Sequence, residues 1–533
     1  MKSEVRGPKS DDRILGRSGG HELAEPQAKS QKSKGKSYGP SLLPFAFSAV
    51  ACLLFFAACT PGPKYVRPTA PAPPAYQENA SANAGPQADW KSSQPQDQSR
   101  KGKWWEIFGE PQLNELEDRI DVSNQNLKIA EAQFRQARDT IRIDRSGLYP
   151  TINSGPSLAA EQFSRNAPNR TSKAGQTLGD FILPFDLSYE VDAWGRIHLT
   201  VQAAAANAQA SAADLETARL SVHAELAVDY FLLRGLDAQK QLLDSTVAQY
   251  RKALELTTNR YNGGLAARVE VTQAETQLES TEAQAMDIGV QRAQFEHAIA
   301  TLLGQPASTF SIPVSPLRTP PPEIPVGLPS DLLQRRPDIA AAERRVAAAN
   351  ANIGLAKTAY YPTLTLSAVA GLEGSSITNW FAWPSHFFAV GPQLLETLYD
   401  AGRRHAFTDQ AWAAYDADVA LYRQNVLTAF QEVEDNIAGL RILDQEGRKQ
   451  NEAVQSAEHS LALSTHRYKG GLVTYLEVTT AQSAALSNQR TAVDILTRRM
   501  NSTVLLIKAL GGGWDVSQLP ELSAKGQSAA AGK

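Results

Sequence analysis

The chain has 533 residues, a formal net charge of −3, 20% charged residues and two cysteines. Nearly balanced charge gives no basic surplus, so no nucleic-acid partner is expected, although the sum says nothing about how the signs are distributed. Two cysteines give neither a disulfide framework nor a cysteine metal site.

Residues 1–40 are polar, with nine Lys and Arg against five Asp and Glu. Residues 42–58 are almost purely apolar and run into Cys59-Thr60-Pro61-Gly62-Pro63. A basic region, a short apolar core and small residues before a cut site describe a secretory signal over 1–58. Ala57-Ala58-Cys59 resembles the end of a bacterial lipoprotein signal, in which Cys59 is acylated and becomes the first mature residue. Phe56 stands where leucine is usual and the polar leader is long, so a retained anchor and an uncleaved signal are the alternatives. No later apolar run approaches the length of a spanning helix, so a mature chain that crosses a membrane does so with strands. Residues 59–103 are rich in Pro, Ala, Ser and Gln and read as a lipidated N-terminus on an extended tether.

From 104 to 304 the pattern predicts a helix, two strands near 151–163 and 177–191, and long helices near 195–262 and 269–303. Phe181, Leu183, Phe185, Leu187 and Tyr189 alternate with Asp180, Ile182, Pro184, Asp186, Ser188 and Glu190. Period two marks a strand with one apolar face. The pattern fits a transmembrane barrel strand and equally a soluble sheet. Between Arg196 and Asn262 there is no proline and one glycine, Gly235. A helix that long spans roughly 100 Å. Gly195 follows the second strand and serves the strand-to-helix bend. Tyr261-Asn262-Gly263-Gly264-Leu265 ends the helix, because glycine accepts the left-handed cap conformation cheaply.

A connector at 305–329 contains Pro320, Pro321 and Pro322 in a row. The region 330–512 then repeats the plan, with strands near 363–373 and 386–396 and helices near 402–469 and 476–510. Leu364, Leu366, Ala368, Ala370 and Leu372 form its apolar alternation. Trp380, Phe381 and Trp383, between the strands, suit a membrane-interface belt. Gly402 takes the bend position, and Tyr468-Lys469-Gly470-Gly471-Leu472 ends the long helix. Residues 513–533 form a polar tail.

The two turn motifs lie 207 residues apart, as do Gly195-Arg196 and Gly402-Arg403, and Glu270-Val271-Thr272 and Glu477-Val478-Thr479. The chain therefore reads as a duplication with two pseudo-symmetric halves. Four strands cannot close a barrel, and open strand edges are not tolerated in lipid. The reading thus requires an oligomer. Two copies would give eight strands, filled by their own side chains; three would give twelve and an aqueous lumen. Alanines at 203–206, and at 411, 413 and 414 around Trp412, permit close helix packing.

Asp192-Ala193-Trp194-Gly195-Arg196, Asp400-Ala401-Gly402-Arg403-Arg404 and Leu333-Gln334-Arg335-Arg336-Pro337-Asp338-Ile339 resemble signatures of TolC-type outer-membrane efflux channels. So do the Cys59 motif, continuing to Lys64-Tyr65, and the two Tyr-x-Gly-Gly-Leu turns; the Cys59 motif and the Arg-Arg-Pro-Asp stretch point to the NodT/OprM-like lipoproteins. The resemblance runs from about Cys59 to Trp514. It implies a mainly α fold with a small transmembrane β part: a homotrimer whose 12-strand barrel continues as a 12-helix tunnel. It implies a lipid-anchored protein of a Gram-negative outer membrane with a large periplasmic part. Its partners would be a periplasmic adaptor and an inner-membrane pump of the RND type. The channel would conduct drugs, toxic organics or metals passively, the pump supplying the energy.

The resemblance also places Gly263, Gly264, Gly470 and Gly471 at the periplasmic tip, where the channel closes. By motif position, Glu270 and Glu477 are similar to acidic residues near the family's constriction, where carboxylates attract cations. Both also begin the return helices, where a carboxylate meets the helix dipole favourably; the two roles coexist. Thr480 stands where some members carry a further acid. Tyr261 and Tyr468 are read as gate hydrogen-bonding groups or as packing for the turn. Arg335, Arg336, Pro337 and Asp338 read as a helix start. The one Gly-x-Ser-x-Gly match, Gly16-Arg17-Ser18-Gly19-Gly20, lies in the polar leader, no phosphate-binding loop occurs, and the eight histidines, including His198 and His405, lack ligand spacing. No catalytic residue, cofactor or metal is expected. The rival reading is a periplasmic coiled-coil scaffold or adaptor lipoprotein without a pore, which needs no strand hairpins before its long helices.

Overall fold

The computed structural model describes residues 61–78, 102–168, 172–324 and 331–522; Cys59 and the signal region lie outside the described residues. A 3-10 turn, Trp104–Phe108, leads into helices α1 (Pro111–Ser123) and α2 (Gln125–Ser146). Strands β1 (Thr151–Asn153), β2 (Ser157–Gln162) and β3 (Thr177–Val191) follow, then helices α3 (Arg196–Asn262) and α4 (Arg268–Leu302). The second half has a single turn at Leu332–Arg335, helix α5 (Pro337–Thr358), strands β4 (Thr363–Gly374) and β5 (His386–Leu395), and helices α6 (Arg403–Lys469) and α7 (Tyr475–Ala509).

Helices α3 and α6 have 67 residues each, and α4 and α7 have 35 each. All four of their first and last residues recur at the offset of 207. The duplication in sequence is thus a duplication in structure. Strong helix formers carry the long helices, and Gly235 stands within the unbroken α3 for a packing reason. A Cβ there would lie 2.3 Å from Thr497 Oγ1 on α7.

The sheet is antiparallel throughout, in the order β1/β2, β3, β4, β5. One strand was expected over 151–163. The structure splits it at Ser154-Gly155-Pro156, where proline has no N–H for the ladder. Directly opposed residues share a face, so register decides which side chains meet. Leu183 faces Leu372, Phe185 faces Ala370, Leu187 faces Ala368 and Tyr189 faces Leu366. The same face continues through Ile152 and Leu158 on one side and Phe388, Val390 and Leu394 on the other. It is one apolar surface across every strand. Leu158, Phe388, Val390 and Leu394 on it are between 66 and 78% exposed.

Two cores meet beside the C-terminal end of α7. In one, Trp104, Leu113 and Ile120 pack against Leu226, Tyr230 and Phe231 of α3 and against Met500 and Val504 of α7. In the other, Ile339 and Val346 of α5 pack on Tyr422, Val426, Phe430 and Val433 of α6 and on Leu506. Arg336 joins the second core's edges. Its guanidinium, 8% exposed for the residue as a whole, donates to Glu432 at 2.5 Å, to Asp338 at 2.5 Å and to the Ala509 carbonyl at 3.1 Å. The Arg-Pro-Asp stretch is therefore a helix start that also ties α5 to α6 and α7.

Residues 61–78 have the extension that a Pro-rich composition dictates, but they are laid down along the helices. Asn350 donates to the Pro63 carbonyl at 3.0 Å, and the Tyr65 hydroxyl bonds Glu343. The backbone N–H of Gln77 donates to Glu434 at 2.7 Å, and Arg441 pairs with Glu78 at 2.6 Å. Gly62 crosses Gly354 so closely that a Cβ on Gly62 would lie 2.8 Å from the Gly354 Cα.

Candidate functional site: the helix tips and the strand-to-helix junctions

Each tip is a Schellman turn. In the first, Gly264 N–H donates to the Tyr261 carbonyl at 2.9 Å and Leu265 N–H to the Arg260 carbonyl at 2.8 Å. In the second, Gly471 donates to Tyr468 at 3.0 Å and Leu472 to Arg467 at 2.9 Å. Gly264 and Gly471 carry the left-handed conformation, with φ of 73° and 75°. Gly263 and Gly470 have ordinary negative φ, so only the second glycine of each pair is demanded by the backbone.

The tips are not equivalent in their surroundings. Tyr468 is 3% exposed and donates its hydroxyl to Glu270 at 2.9 Å. The Arg260 guanidinium lies 4.7 Å from the centre of the Tyr468 ring and donates to the Lys469 carbonyl at 3.1 Å. Burial, and the Glu270 carboxylate beside it, push the Tyr468 hydroxyl above its ordinary pKa. Tyr261, its counterpart, is 38% exposed. Glu477, the counterpart of Glu270, pairs with Arg467 at 2.9 Å and accepts from Ser464 at 3.4 Å. Both glutamates lie in the first turn of their return helices, so the helix-dipole role fits the geometry.

The junctions solve another problem, turning a strand into a helix. Asp192 accepts the N–H groups of Ile197 and His198 at 2.9 Å each, satisfying two donors at the start of α3. Asp400 accepts from Gly402 and Arg404 at 3.1 Å each. Gly195 and Gly402 stand between strand and helix with φ of 73° and 88°. Nothing lies within 4 Å of a Cβ built on Gly402, so conformation alone calls for glycine there. Arg196 grips Glu190 of β3 through two hydrogen bonds at 2.7 and 2.5 Å. Trp194 stacks on Tyr361 with ring centres 5.0 Å apart and bonds the Pro362 carbonyl, linking the halves beside the sheet.

A strand pair joined through a capped bend to a 67-residue helix and a 35-residue return helix occurs twice in one chain, and the strands share one sheet with a bare apolar face. A family model described as outer membrane efflux protein matches residues 117–305 and 328–512. The chain belongs to this family. The toluene efflux pump outer membrane protein TtgF of Pseudomonas putida is 31% identical over 471 residues, covering 88% of this chain and 97% of that one. The pyoverdine export outer membrane protein OpmQ of Pseudomonas aeruginosa is 31% identical over 418 residues, covering 77% and 87%. The solved outer-membrane channel OprN matches with a TM-score of 0.76 at 28% identity, over 86% of this chain and 100% of that one. This efflux protein is an outer-membrane channel component, and its fold is that of the TolC-type channels.

The sequence reading singled out the tip glycines, tyrosines and glutamates of the efflux protein, but missed Arg260 and Arg467. The offset of 207 marks them as a repeated pair. Asp192 and Asp400 were quoted as motif residues without their capping role. A polar residue just before a helix carries that signal.

Proposed function

We propose that three copies of this efflux protein close a 12-strand barrel in the outer membrane and continue it as a 12-helix tunnel through the periplasm. The observation that carries the reading is the sheet. Its apolar face runs across every strand and no layer among the described residues covers it, while β1/β2 and β5 leave open edges. Lipid against that face and a second copy at each edge satisfy both requirements. A coiled-coil scaffold without a pore leaves both unmet, and a soluble sheet would need a covering layer.

Cys59 is the proposed lipidation site and first mature residue. The strap beginning at Pro61 docks against α5 close to Gly354, a few residues from the start of β4, which keeps an acyl chain on Cys59 near the membrane. The tips at Gly263-Gly264 and Gly470-Gly471 form the periplasmic end, where an adaptor and an RND-type inner-membrane pump engage. Glu270 and Glu477 contribute carboxylates to the gate there, and Tyr261 and Tyr468 contribute hydroxyls. Small compounds of the kind named for the relatives, such as toluene, pass without chemical change, so no catalytic group or cofactor has a role.

Native mass spectrometry of the protein extracted from membranes in detergent tests this reading. A trimer of chains that begin at an acylated Cys59 supports it. A monomer or dimer under gentle extraction leaves too few strands for an open pore and overturns it.

A further inference from the structure

On the face of α5 turned away from the strap, helices α3, α5 and α6 leave an open pocket of about 230 Å³. The strap touches α5 at Glu343, Asn350 and Gly354, whereas Arg345 and Asn352 belong to the pocket. At about 100° per residue, the two sets lie on opposite sides of the helix. The strap leads back towards Cys59, the proposed anchor, so its face is the outside of the tube and the pocket opens on the lumen. Four alanines of α5 and α6 leave the space, and the rest of the lining is polar: Asn207 of α3, Arg345 and Asn352 of α5, and Asp418 of α6.

These polar groups are not used up by the fold. Arg345 pairs with Asp214 of α3. The side chains of Asn207, Asn352 and Asp418 have no hydrogen-bond or ion-pair partner among the described residues. Burial raises the Asp418 carboxyl above its ordinary pKa, against the pull of the Arg345 charge. Nor does the duplicated scaffold dictate the residue types. Tyr149-Pro150-Thr151 and Tyr361-Pro362-Thr363 align at an offset of 212, which puts Gln133 in the place of Arg345 and Thr140 in the place of Asn352. The offset of 207 puts Ser211 in the place of Asp418. The charged groups of the pocket therefore belong to the second repeat alone.

We infer that this pocket is a lumenal binding site for the ammonium group of a small organic cation passing through the channel. Its lumenal placement rests on the trimeric reading above, whereas the pocket itself is built by one chain. An ammonium donates through each of its N–H bonds, and the Asp418 carboxylate and the amide carbonyls of Asn207 and Asn352 are acceptors left free for it. Asp214 neutralises Arg345, so the unpaired Asp418 selects a cation over an anion. The alanine walls take the first carbons of the ligand. Drug-sized ligands fill cavities of roughly 300 Å³ or more, so a pocket of about 230 Å³ holds the ammonium end and leaves the remainder in the lumen. That suits transit, because a conduit has to bind weakly enough to release what it carries.

Protection of a thiol tests the inference. Ala414 lines the pocket, and Ala414→Cys is labelled in the full chain with a water-soluble maleimide; Ala411→Cys is the second position in case the first disturbs packing. The chain without an added cysteine is the blank, and free cysteine corrects for any effect on the reagent. Benzylammonium is the probe and benzyl alcohol its neutral counterpart. Benzylammonium is expected to slow labelling several-fold and benzyl alcohol to leave it unchanged. Adding Asp418→Asn is expected to abolish the protection, and adding Asp416→Asn, an exposed acid outside the pocket, to preserve it. Equal slowing by benzyl alcohol, slowing that survives Asp418→Asn, or no slowing at either position overturns the inference. A thiol shielded in the native trimer without any ligand, and reactive once the trimer dissociates, places the pocket in a subunit contact and overturns it too. Absence of any trimer overturns the trimeric reading and the lumenal placement, while protection in the single chain still supports a site for ammonium.

Discussion

The indole Nε1–H of Trp194 donates to the Pro362 carbonyl oxygen at 2.7 Å, joining the end of one repeat's hairpin to the start of the other's. The same ring stacks on Tyr361 at an interplanar angle of 27°. A hydrogen bond of this kind contributes about 1 kcal/mol and an aromatic pair about 1 kcal/mol. Trp194→Ala is expected to cost about 2 kcal/mol at the strand-to-helix junction, and Trp194→Phe about half of that. The temperature at which the oligomer dissociates in mild detergent measures both. Equal losses for the two variants would show that the hydrogen bond, not stacking, holds the junction.

The sheet register makes an asymmetric prediction for its two faces. Phe185 and Ala370 oppose each other on the apolar face, and Ser188 and Ser367 on the polar face. In the proposed barrel Phe185→Lys or Ala370→Lys would place a cation in lipid, which costs about 2–4 kcal/mol near the bilayer centre. In the same barrel Ser188→Lys would face the lumen, and it is expected to leave assembly unchanged. The folded fraction is read from heat-modifiable electrophoresis. The reverse ranking would mean that the faces are assigned the wrong way round.

What the sequence reveals here depends on whether a feature is local. Freedom from proline makes α3 legible, and alternation makes β3 legible, because each pattern lies within its own segment. The break at Pro156 is local too, but a proline in an otherwise strand-like stretch also suits an unbroken edge strand. The strap at 61–78 shows the limit more clearly. Composition gives its extension, whereas its docking depends on Glu343, Asn350 and Gly354, far away in the chain. The asymmetry between Tyr261 and Tyr468 is invisible for the same reason. Identical motifs predict identical surroundings, and only the packing of one hairpin on the other makes Tyr468 buried and Tyr261 exposed.

The crossing of Gly62 over Gly354 gives a test of the strap. A Cβ on Gly354 would sit 2.9 Å from the Pro61 carbonyl oxygen and 3.1 Å from the Leu199 methyl carbons. The backbone atoms cannot yield as a flexible side chain would. Gly354→Val is therefore expected to lift the first residues of the strap while the long helices persist. Trypsin cleavage after Lys64 reports this: slow in the native protein, several-fold faster in the variant. Unchanged cleavage in a folded variant would mean that the Tyr65 and Asn350 contacts hold the strap without the crossing.

His223 supplies the pH-dependent prediction. Its Nδ1 lies 2.6 Å from Glu117 and its Nε2 lies 3.4 Å from Asp121, and the ring stacks on Trp105 at 4.5 Å. Arg219 also faces Asp121, at 3.3 Å. Burial opposes the imidazolium, but the hydrogen bonds to Asp121 and Glu117 outweigh it and raise its pKa from 6.5 to about 9. Burial raises Glu117 from 4.5 to about 7, against the pull of His223. Both groups bind a proton more tightly in the folded chain than in the unfolded one, so both lose stability as pH rises. The Glu117 contribution falls between pH 4.5 and about 7, and the His223 contribution between 6.5 and about 9. One pKa unit corresponds to about 1.4 kcal/mol, which bounds the His223 share at about 3 kcal/mol. The melting midpoint of the helical part is therefore expected to fall steadily across the window from pH 6.5 to about 9. His223→Gln removes the imidazolium, so it lowers the midpoint at the acidic end and flattens the slope above it. A native slope that survives His223→Gln unchanged would place the titrating group elsewhere.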